Sequence, residues 1–324
     1  MEKTRPKYTP KPEFVERMKE LLQGEKDFEE YMKVSQEYAP NSIRCNTIKI
    51  SPDELKKRLE KKWKIVQPYK EYPEIMLIES ELAPGEIGKA IEHVLGYYYV
   101  QEISSMLPPF VLNPKADEIV LDLCSSPGSK TTQMAAMMEN KGTLIANDVS
   151  IGRIMILSTN IQRCCATNVI VTENEGSNLC SKLAKNKFLF DKILVDAPCS
   201  CEGTIRSSPK TVCTFSESLI KRLSNTQKSL AVSAVKCLKV GGELVYSTCT
   251  HAPEENEEVV SYLLDNFPLE IEEINLPLKT REGIVEWKGK KYNSQVKKCI
   301  RIYPHDNDTE GFFVARIKKI GEIQ

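Results

Sequence analysis

Two cysteines stand a few residues beyond predicted strands. Cys199 lies in Asp196-Ala-Pro-Cys-Ser200, and Cys249 lies in Tyr246-Ser-Thr-Cys-Thr250. If the two strands are neighbours in a parallel sheet, their carboxyl ends place both thiols at one edge of that sheet. A thiol near a lysine such as Lys130 and near helix N-termini can have a lowered pKa and can act as a nucleophile. Asp196, at the same edge, can hold or donate a proton.

A second group of small and polar residues follows an earlier predicted strand. The segment Asp122–Lys130 is a Ser/Pro/Gly turn that leads into a helix, and such turns let backbone N–H groups approach a carboxylate or a phosphate. Asp148, twenty residues past Gly128, ends the next strand, where an acid accepts hydrogen bonds from ribose hydroxyls. The pair predicts a site for a nucleoside-containing cofactor. A P-loop ATPase is disfavoured, because Ser129 and Cys124 stand where that motif requires glycine.

Methylation of a pyrimidine carbon is the chemistry that uses this set of groups. Carbon 5 of cytosine is a poor nucleophile until a thiolate adds at carbon 6; the resulting enamine takes a methyl group from a sulfonium. A base must then remove the carbon 5 proton so that the thiol can leave, so the reaction needs a nucleophile, an acid near the ring nitrogen and a second proton-transfer group. The spacing alone does not say whether Cys199 or Cys249 attacks.

From residue 118 onward, strands and helices alternate. Strands are predicted at 118–124, 143–148, 168–172, 191–196, 243–247 and 311–316. Helices are predicted at 130–138, 151–163, 216–238 and 254–265. Gly241-Gly242 is expected to end the third of these helices. This alternation predicts an α/β fold with a doubly wound, mostly parallel sheet.

The first 95 residues have a different pattern, typical of a small α+β module. Helical spacing covers residues 11–38, an alternating strand covers 42–50, and Ser51-Pro-Asp-Glu54 has the residues of a helix start. Shorter strands are predicted at 64–66 and 75–78. We therefore expect two domains, residues 1–95 and residues 96–324.

The composition is that of an ordinary globular protein. Of 324 residues, 41% are apolar and 28% are charged, and no apolar run reaches the length of a membrane span, so no membrane partner is expected. The first ten residues are charged and contain two prolines, which is unlike a signal peptide. We expect a cytoplasmic location.

The net charge of zero gives no argument for nucleic-acid binding, so any such surface must be local. Residues 41–70 contain nine Lys or Arg against three acids, and residues 279–301 contain eight against two, which is a net charge of +6 in each window. The alternative for both windows is a solvated face that acids balance elsewhere in space.

Eleven cysteines are present, but no two are spaced as Cys-x-x-Cys. We therefore expect no metal site, and the odd number argues against a complete disulfide framework. Most of these cysteines should be buried reduced thiols.

Taken in order, seven motifs make residues 41–318 resemble the Sun (NSUN-type) family of RNA cytosine-5 methyltransferases, in particular archaeal enzymes that act on tRNA. The motifs are Arg44-Cys-Asn-Thr-Ile-Lys49, Gly96-Tyr-Tyr-Tyr-Val-Gln-Glu-Ile-Ser-Ser-Met106, Leu121-Asp-Leu-Cys-Ser-Ser-Pro-Gly-Ser-Lys130, Ala146-Asn-Asp148, Asp196-Ala-Pro-Cys-Ser200, Tyr246-Ser-Thr-Cys249 and Pro304-His-Asp-Asn-Asp-Thr-Glu-Gly-Phe-Phe313.

The resemblance implies a Rossmann-like class I methyltransferase domain that uses S-adenosylmethionine, behind a small N-terminal domain similar to RNA-recognition domains. It implies that Cys249 is the nucleophile, that Cys199 helps to release the product, and that Lys130 and Asp196 orient the target base or the methyl donor. The residues implied in cofactor binding are Cys124, Ser125, Ser126, Pro127, Gly128, Ser129, Lys130, Asp148, Arg153, Glu175 and Asp196. Lys56 to Lys64 would meet phosphates of an RNA substrate. We expect a monomer, and some family members use an accessory protein for specificity.

At four places the chain departs from the family's usual pattern. Ser129 and Cys201 stand where glycine is usual, Glu175 replaces an aspartate that contacts adenine, and Ser207-Ser208 follows Arg206 where Arg-Asn is common. These departures bear on the adenine contact and the fit of the base loop, not on the chemistry.

The resemblance favours tRNA as the substrate, and two alternatives remain open: ribosomal RNA as the substrate, or a weakly active RNA-binding or assembly factor with the same fold. A nicotinamide-dependent oxidoreductase is disfavoured, because Gly-x-Gly-x-x-Gly does not follow the first strand of the sheet.

Overall fold

A long mixed sheet and a smaller antiparallel sheet form the framework of residues 8–323, the part of the chain that the computed structural model describes. The helices are α1 Pro12–Leu21, α2 Glu25–Ser35, α3 Pro52–Leu59, α4 Glu86–Lys89, α5 Ile91–Val94, α6 Ile103–Leu112, α7 Ser129–Met137, α8 Ile151–Cys164, α9 Gly176–Lys185, α10 Thr211–Thr214, α11 Glu217–Lys236, α12 Glu257–Asn266 and α13 Pro304–Asn307. The strands are β1 Ser42–Cys45, β2 Ile65–Val66, β3 Ile75–Ile78, β4 Tyr98–Val100, β5 Ile119–Asp122, β6 Thr143–Asp148, β7 Val169–Glu173, β8 Phe190–Asp196, β9 Leu238–Thr248, β10 Leu269–Glu272, β11 Arg281–Glu282, β12 Glu286–Trp287, β13 Lys290–Lys291, β14 Ile300–Ile302 and β15 Phe312–Lys319.

The long sheet has the strand order β11-β14-β15-β9-β8-β5-β6-β7, and β10 also pairs with β15. Strands β7, β6, β5, β8 and β9 run parallel, whereas β15 lies antiparallel to β9. The predicted doubly wound, mostly parallel sheet is therefore confirmed. The strand order reverses between β5 and β8, so the carboxyl ends of these two strands border the crevice in which such sheets bind ligands.

Helices cover both faces of this sheet. Leu230 of α11 and Val260 of α12 belong to the apolar cluster on one face, and Met134 of α7 and Leu157 of α8 belong to the cluster on the other. Because both faces are covered, Ile193–Val195 in β8 is buried at every position. This explains why the strand is a continuous apolar run and not an alternating one.

The smaller sheet has the order β2-β3-β1-β4, with all pairs antiparallel. The hydroxyl of Ser51 accepts a hydrogen bond from the backbone N–H of Glu54 at 3.3 Å, which begins α3 as the sequence predicts. Leu55 and Leu59 of this helix are fully buried against the sheet. The N-terminal module is thus α+β.

The smaller sheet continues past residue 95. Strand β4 pairs with β1, with Ile43 opposite Val100, and Tyr98 is fully buried in the apolar cluster of this module. Strand β4, which contains Tyr98 and Tyr99, is therefore the last strand of this module, and the chain is still within the module at residue 95. We therefore propose that the boundary lies between Val100 and Ile103, not at residue 95.

Helices α1 and α2 pack away from the smaller sheet. Phe14, Met18 and Tyr31 are fully buried in a cluster with Phe215 and Tyr303, which belong to the second half of the chain. The first two helices therefore pack against the large domain, although the sequence analysis grouped them with residues 1–95.

The expectation that Gly241-Gly242 ends a helix is wrong. Helix α11 ends at Lys236, and the pairing of β8 with β9 passes from Phe190 opposite Leu238 to Lys192 opposite Glu243. Four residues of β9 therefore bulge out between these two pairs, and the glycine pair belongs to this bulge.

Within residues 8–323, no helix combines the length and the apolar character that crossing a bilayer requires. Residues 1–7, on which the expectation about a signal peptide partly rests, lie outside the described residues.

Candidate active site

The two cysteines singled out from the sequence meet at the carboxyl edge of the long sheet. Strands β8 and β9 are parallel neighbours, with Asp196 opposite Ser247, so the segments that follow them leave the sheet side by side. The Sγ atoms of Cys199 and Cys249 are 3.2 Å apart. Both residues are intermediate in exposure.

A third thiol, Cys201, joins this pair. Its Sγ lies 4.0 Å from that of Cys199, and all three sulfurs lie within 4.8 Å of one another. Hydrogen bonds from Cys199 and then Cys249 lower the pKa of Cys201. The hydrogen bonds to Cys201 and Cys249, together with burial, raise the pKa of Cys199. At Cys249 the hydrogen bond with Cys199 lowers the pKa, but the one with Cys201 and burial raise it overall. The lowered pKa that the sequence predicts for the strand-end thiols is therefore found at Cys201 and not at Cys199 or Cys249.

Lys130 and Asp196 form an ion pair beside the thiols. Lys130 Nζ lies 2.7 Å from Asp196 Oδ2 and donates a hydrogen bond to Ser105 Oγ at 2.9 Å. The hydroxyl of Ser247 donates to the other carboxylate oxygen of Asp196 at 2.8 Å. These contacts fix both charged groups at the point where the strand order reverses.

The turn between β5 and α7 has the backbone that its sequence predicts. Gly128 has a φ of 103°, and a Cβ at this position would lie 2.9 Å from Leu157 Cδ1, so the turn requires glycine. Ser129 is the first residue of α7 and has no positive φ, which explains why serine is tolerated there. Arg44, reaching across from the smaller sheet, donates to Ser129 O at 2.7 Å.

A cavity of about 320 Å³ opens beside this turn. Seven of the residues implied in cofactor binding line it, namely Cys124, Ser125, Ser126, Pro127, Ser129, Lys130 and Asp196. Asp122 lines it as well, and the sequence analysis did not include this residue in the site. Its Oδ2 accepts a hydrogen bond from Thr131 at 2.7 Å, whereas its buried Oδ1 has no hydrogen-bond partner within the described residues. Burial raises the pKa of Asp122 to about 7.

Asp148 ends β6, as predicted, beyond this cavity. Its Oδ1 accepts the N–H of Ser150 at 3.1 Å and its Oδ2 accepts that of Ser126 at 3.3 Å, which ties the end of β6 to the turn. Arg153 lies 3.3 Å from the same Oδ2 and donates to Ser126 O at 2.9 Å. The structure thus brings Asp148 and Arg153 together at the turn.

Glu175 has a structural contact that the sequence analysis did not foresee. Its carboxylate accepts the N–H groups of Ser177 at 3.1 Å and Asn178 at 2.9 Å, so it caps the N-terminus of α9. The side chain is exposed, and a contact with adenine needs an additional lone pair of the same carboxylate. The adenine contact of Glu175 therefore remains a proposal.

Glu255, which the sequence analysis missed, fixes the loop that carries Cys199. Its Oε2 accepts the N–H of Ser200 at 3.1 Å and the side-chain amide of Gln227 at 2.7 Å. Burial raises the pKa of Glu255 to about 7. In the sequence, the only indication of this role is its position six residues after Cys249. Nothing in the local pattern distinguishes Glu255 from the neighbouring acids.

Two glycines hold the two cysteine-bearing segments against each other. The N–H of Gly203 donates to Cys249 O at 2.9 Å, and the N–H of Gly311 donates to Gly203 O at 2.8 Å. A Cβ on Gly203 would clash with the carbonyl oxygen of Gly311 and lie 2.9 Å from Cys249 O. The relative position of Cys199 and Cys249 therefore depends on this close backbone approach.

The two basic windows differ in the structure. In residues 279–301, six of the eight basic side chains form salt bridges, namely Lys279, Arg281, Lys288, Lys290, Lys297 and Arg301. This supports the interpretation of that window as a balanced face. In residues 41–70, Arg44 is buried at the domain contact, but Lys57, Lys61 and Lys70 are exposed.

Comparison with known proteins gives matches over nearly the whole chain. A family model described as 16S rRNA methyltransferase RsmB/F matches residues 109–318, and one described as the N-terminal domain of 16S rRNA methyltransferase RsmF matches residues 11–103. A tRNA (cytosine(49)-C(5))-methyltransferase of Pyrococcus abyssi is 44% identical over 86% of this chain and 88% of its own length. A ribosomal RNA small subunit methyltransferase F of Shewanella piezotolerans is 37% identical over 96% of this chain, which spans only 64% of that longer protein.

Two solved structures share the fold along their whole length. A methyltransferase homologue from Pyrococcus horikoshii has a TM-score of 0.81 at 32% identity, with 95% of this chain and 99% of that one covered. NSun6 from Pyrococcus horikoshii, solved with SFG, has a TM-score of 0.80 at 26% identity, with 96% and 99% covered. The family resemblance seen in the motifs is therefore confirmed, and the chain belongs to the RsmB/F, or Sun, family of S-adenosylmethionine-dependent RNA cytosine-5 methyltransferases.

Proposed function

We propose that this enzyme methylates carbon 5 of cytosine in tRNA through a covalent adduct with Cys249. The observation that carries the proposal is the pair of thiols 3.2 Å apart beyond the carboxyl ends of β8 and β9, beside the Lys130–Asp196 ion pair. The relative from Pyrococcus abyssi supports tRNA, because the two chains match over 86% and 88% of their lengths. The ribosomal RNA enzymes carry additional sequence that this chain does not span.

In this mechanism the two thiols act in sequence. The Cys249 thiolate forms a bond to carbon 6 of cytosine, and the electron pair of the ring double bond moves to carbon 5. Bound S-adenosylmethionine would supply an electrophilic methyl group. As carbon 5 accepts this group, the methyl–sulfur bond breaks and its electron pair stays on the sulfur, which leaves as a thioether. Cys199, as a thiolate, takes the proton from carbon 5; the bond between Cys249 and carbon 6 then breaks, and its electron pair returns to the Cys249 sulfur.

Lys130 and Asp196 orient the base in this proposal. Their ion pair holds an ammonium donor and a carboxylate acceptor next to the thiols, and the polar edge of cytosine offers the complementary groups. The pair therefore stabilises charge that develops on the ring as Cys249 adds.

The cavity beside β5 fits the methyl donor. The unpartnered oxygen of Asp122 offers an acceptor for one of the donor's cationic groups, and the turn at Gly128 leaves a cradle that a Cβ would fill. We assign Cys124 to Lys130, Asp148, Arg153 and Asp196 to cofactor binding. We retain Glu175 as an adenine contact only through a lone pair that the helix cap leaves available.

The test is methyl transfer to bulk tRNA and ribosomal RNA, followed by nucleoside analysis. We expect 5-methylcytidine from tRNA and none from either RNA with Cys249→Ala. Cys199→Ala should accumulate an RNA–protein adduct that survives denaturation, because the adduct forms but is not resolved. Cys165→Ala, which removes an exposed thiol at the end of α8, is the matched control. Product in ribosomal RNA alone would refute the tRNA assignment, and cofactor binding without product in any RNA would favour an assembly factor.

We further propose that the enzyme works as a monomer in the cytoplasm. Light scattering of the purified protein tests the monomer. Site-specific methylation by the purified protein alone would show that it needs no accessory protein. A requirement for cell extract would contradict this simple arrangement.

A further inference from the structure

We propose that Cys199, Cys201 and Cys249 form a binding site for a thiophilic divalent cation of the Zn²⁺ class, and that its occupation reversibly blocks methyl transfer. The proposal that these cysteines bind the ion does not depend on the proposed function, whereas the proposal that the ion blocks methyl transfer rests on it. Among residues 8–323, these three cysteines are the group of potential ligands whose sulfurs come within 4.8 Å of one another.

The sulfur positions approach those of a tetrahedral site. At a Zn–S distance of about 2.3 Å, tetrahedral geometry separates ligand sulfurs by about 3.8 Å. The separations here are 3.2 Å between Cys199 and Cys249 and 4.0 Å between Cys199 and Cys201. The third separation, between Cys201 and Cys249, is within 4.8 Å. Three thiolates leave the fourth position of the ion to water.

The backbone around the cluster is held in place before any ion binds. Gly203 donates to Cys249 O at 2.9 Å, which joins the two segments just beyond Cys201. The hydroxyls of Ser200 and Thr250 lie 2.8 Å apart, which joins them again next to Cys199 and Cys249. The site is therefore largely formed in the free protein, so little conformational entropy is lost when an ion binds.

Cys201 is the residue that turns a catalytic pair into a three-ligand site. Its backbone has a φ of 61°, in the left-handed region that glycine adopts most readily. The proposed methylation mechanism uses only Cys199 and Cys249. The cysteine spacing, which lacks Cys-x-x-Cys, predicts no metal site. The ligands here are a Cys-x-Cys pair on one loop and a third cysteine 50 residues after Cys199.

An ion at this site would occupy both thiols that the methylation needs. Soft thiolate ligands favour Zn²⁺ and Cd²⁺ over Mg²⁺ or Ca²⁺. Thiols must lose their protons to ligate, so the apparent affinity rises with pH. None of the three ligands lines the cavity assigned to S-adenosylmethionine, so cofactor binding persists when the ion is bound.

The test uses the full-length protein, freed of metal and kept reduced with a phosphine. Titration with Cd²⁺ is followed by the charge-transfer absorption of cadmium–thiolate bonds, and Zn²⁺ is then added as a competitor. We expect saturation at one ion per chain. Cys201→Ser and Cys201→Gly should each weaken Cd²⁺ binding at least about 10-fold, a reduction found even when an outer-shell partner of a metal site is removed.

Cys213→Ser is the control, because its thiol lies on α10 and donates to Thr9 O at 3.5 Å. A thermal shift with S-adenosylmethionine confirms that each variant is folded. The metal site is refuted if no thiolate absorption develops, if both Cys201 variants bind Cd²⁺ as tightly as the parent, or if Cys213→Ser abolishes binding.

The block is tested separately by methyl transfer with Zn²⁺ and then with a chelator. We expect Zn²⁺ to abolish product formation, the chelator to restore it, and Cys201→Gly to require at least 10-fold more Zn²⁺ for the same inhibition. Undiminished turnover at saturating Zn²⁺ would overturn the block. An enzyme that binds Cd²⁺ but methylates no RNA even without metal would instead count against the proposed function, and the metal site would stand.

Discussion

At the scale of single residues, burial of the Asp122 carboxyl lowers the stability of the free protein at neutral pH. Burial raises its pKa from 3.8 to about 7, so the folded protein holds a proton there that the unfolded chain releases. Its contribution to stability is fully present below about pH 4 and is lost as the pH rises to 7. We therefore expect Asp122→Asn to be more stable than the parent at pH 7.5, by up to about 4 kcal/mol at 1.36 kcal/mol per pKa unit, and the advantage to vanish at pH 4.

Thermal unfolding of both proteins across this pH range measures the difference. Asp117→Asn is the control, since Asp117 is an exposed acid just before the same strand. A difference between Asp122→Asn and the parent that does not change with pH would show that Asp122 is ionised in the folded protein throughout.

Residues that share a contiguous motif were predictable, whereas residues that meet only in space were not. The turn Cys124–Lys130 and the cysteines of both strand ends follow from local sequence. The third thiol was visible as a departure from the family pattern, but its distance from Cys249 depends on how β8 and β9 pair. The helix cap made by Glu175 likewise depends on where α9 begins.

At the scale of elements, the close approach of Gly203 to Gly311 sets the geometry of the active site. We expect Gly203→Ala to lower kcat about 100-fold, because a Cβ forces apart the segments that carry Cys199 and Cys249, and a displacement near 1 Å has this effect. Single-turnover methyl transfer measures it. Cofactor affinity should change little, since Gly203 is not among the residues that line the cavity beside β5.

Gly88→Ala is the matched control for this substitution. Gly88 lies in α4, and a Cβ there meets no atom within 4 Å. If Gly203→Ala kept the parent's kcat, the backbone contact would not be what aligns the thiols.

Periodicity predicted the parallel strands of the long sheet, because β5, β6, β7 and β8 each contain three consecutive apolar residues. It did not predict the antiparallel strands β10, β11 and β14, which are short. It failed where an element's partner lies far along the chain. In the sequence, β4 resembles a connection between domains, and only its pairing with β1 identifies it as a strand of the smaller sheet. Helices α1 and α2 precede the smaller sheet in the chain but pack on residues beyond 200. The glycine pair of β9 has the composition of a helix end, and only the register with β8 identifies it as a bulge.

At the scale of the whole molecule, Arg44 connects the two sheets. From β1 it donates to Gln101, to Ser129 O at 2.7 Å and to Thr132 Oγ1 at 3.0 Å, so it holds the start of α7 from the other domain. We expect Arg44→Met to lower the free energy of unfolding by about 3 kcal/mol, since buried acceptors are left without a charged donor, and to raise the KM for S-adenosylmethionine.

Denaturant unfolding and initial rates test this pair of effects. Arg58→Met removes an exposed arginine that lies 3.8 Å from Glu54 and over the ring of Tyr97, and it should change the free energy of unfolding by less than about 1 kcal/mol. A KM unchanged in Arg44→Met would mean that the turn is positioned without the smaller sheet.

The charge of the whole molecule is zero, so RNA must be attracted by an uneven distribution of charge. The smaller sheet's domain carries exposed Lys57, Lys61 and Lys70, and none of the three forms a salt bridge within residues 8–323. In the other basic window, Lys288, Lys290 and Lys297 each face an acid.

Replacing Lys57, Lys61 and Lys70 with alanine should weaken tRNA binding and reduce the slope of log K against log salt by about 0.7 to 0.9 for each phosphate that the protein no longer neutralises. Replacing Lys288, Lys290 and Lys297 with alanine should leave the slope unchanged. Fluorescence titrations at several salt concentrations measure these slopes. If both triple variants have the slope of the parent protein, the RNA binds a different face.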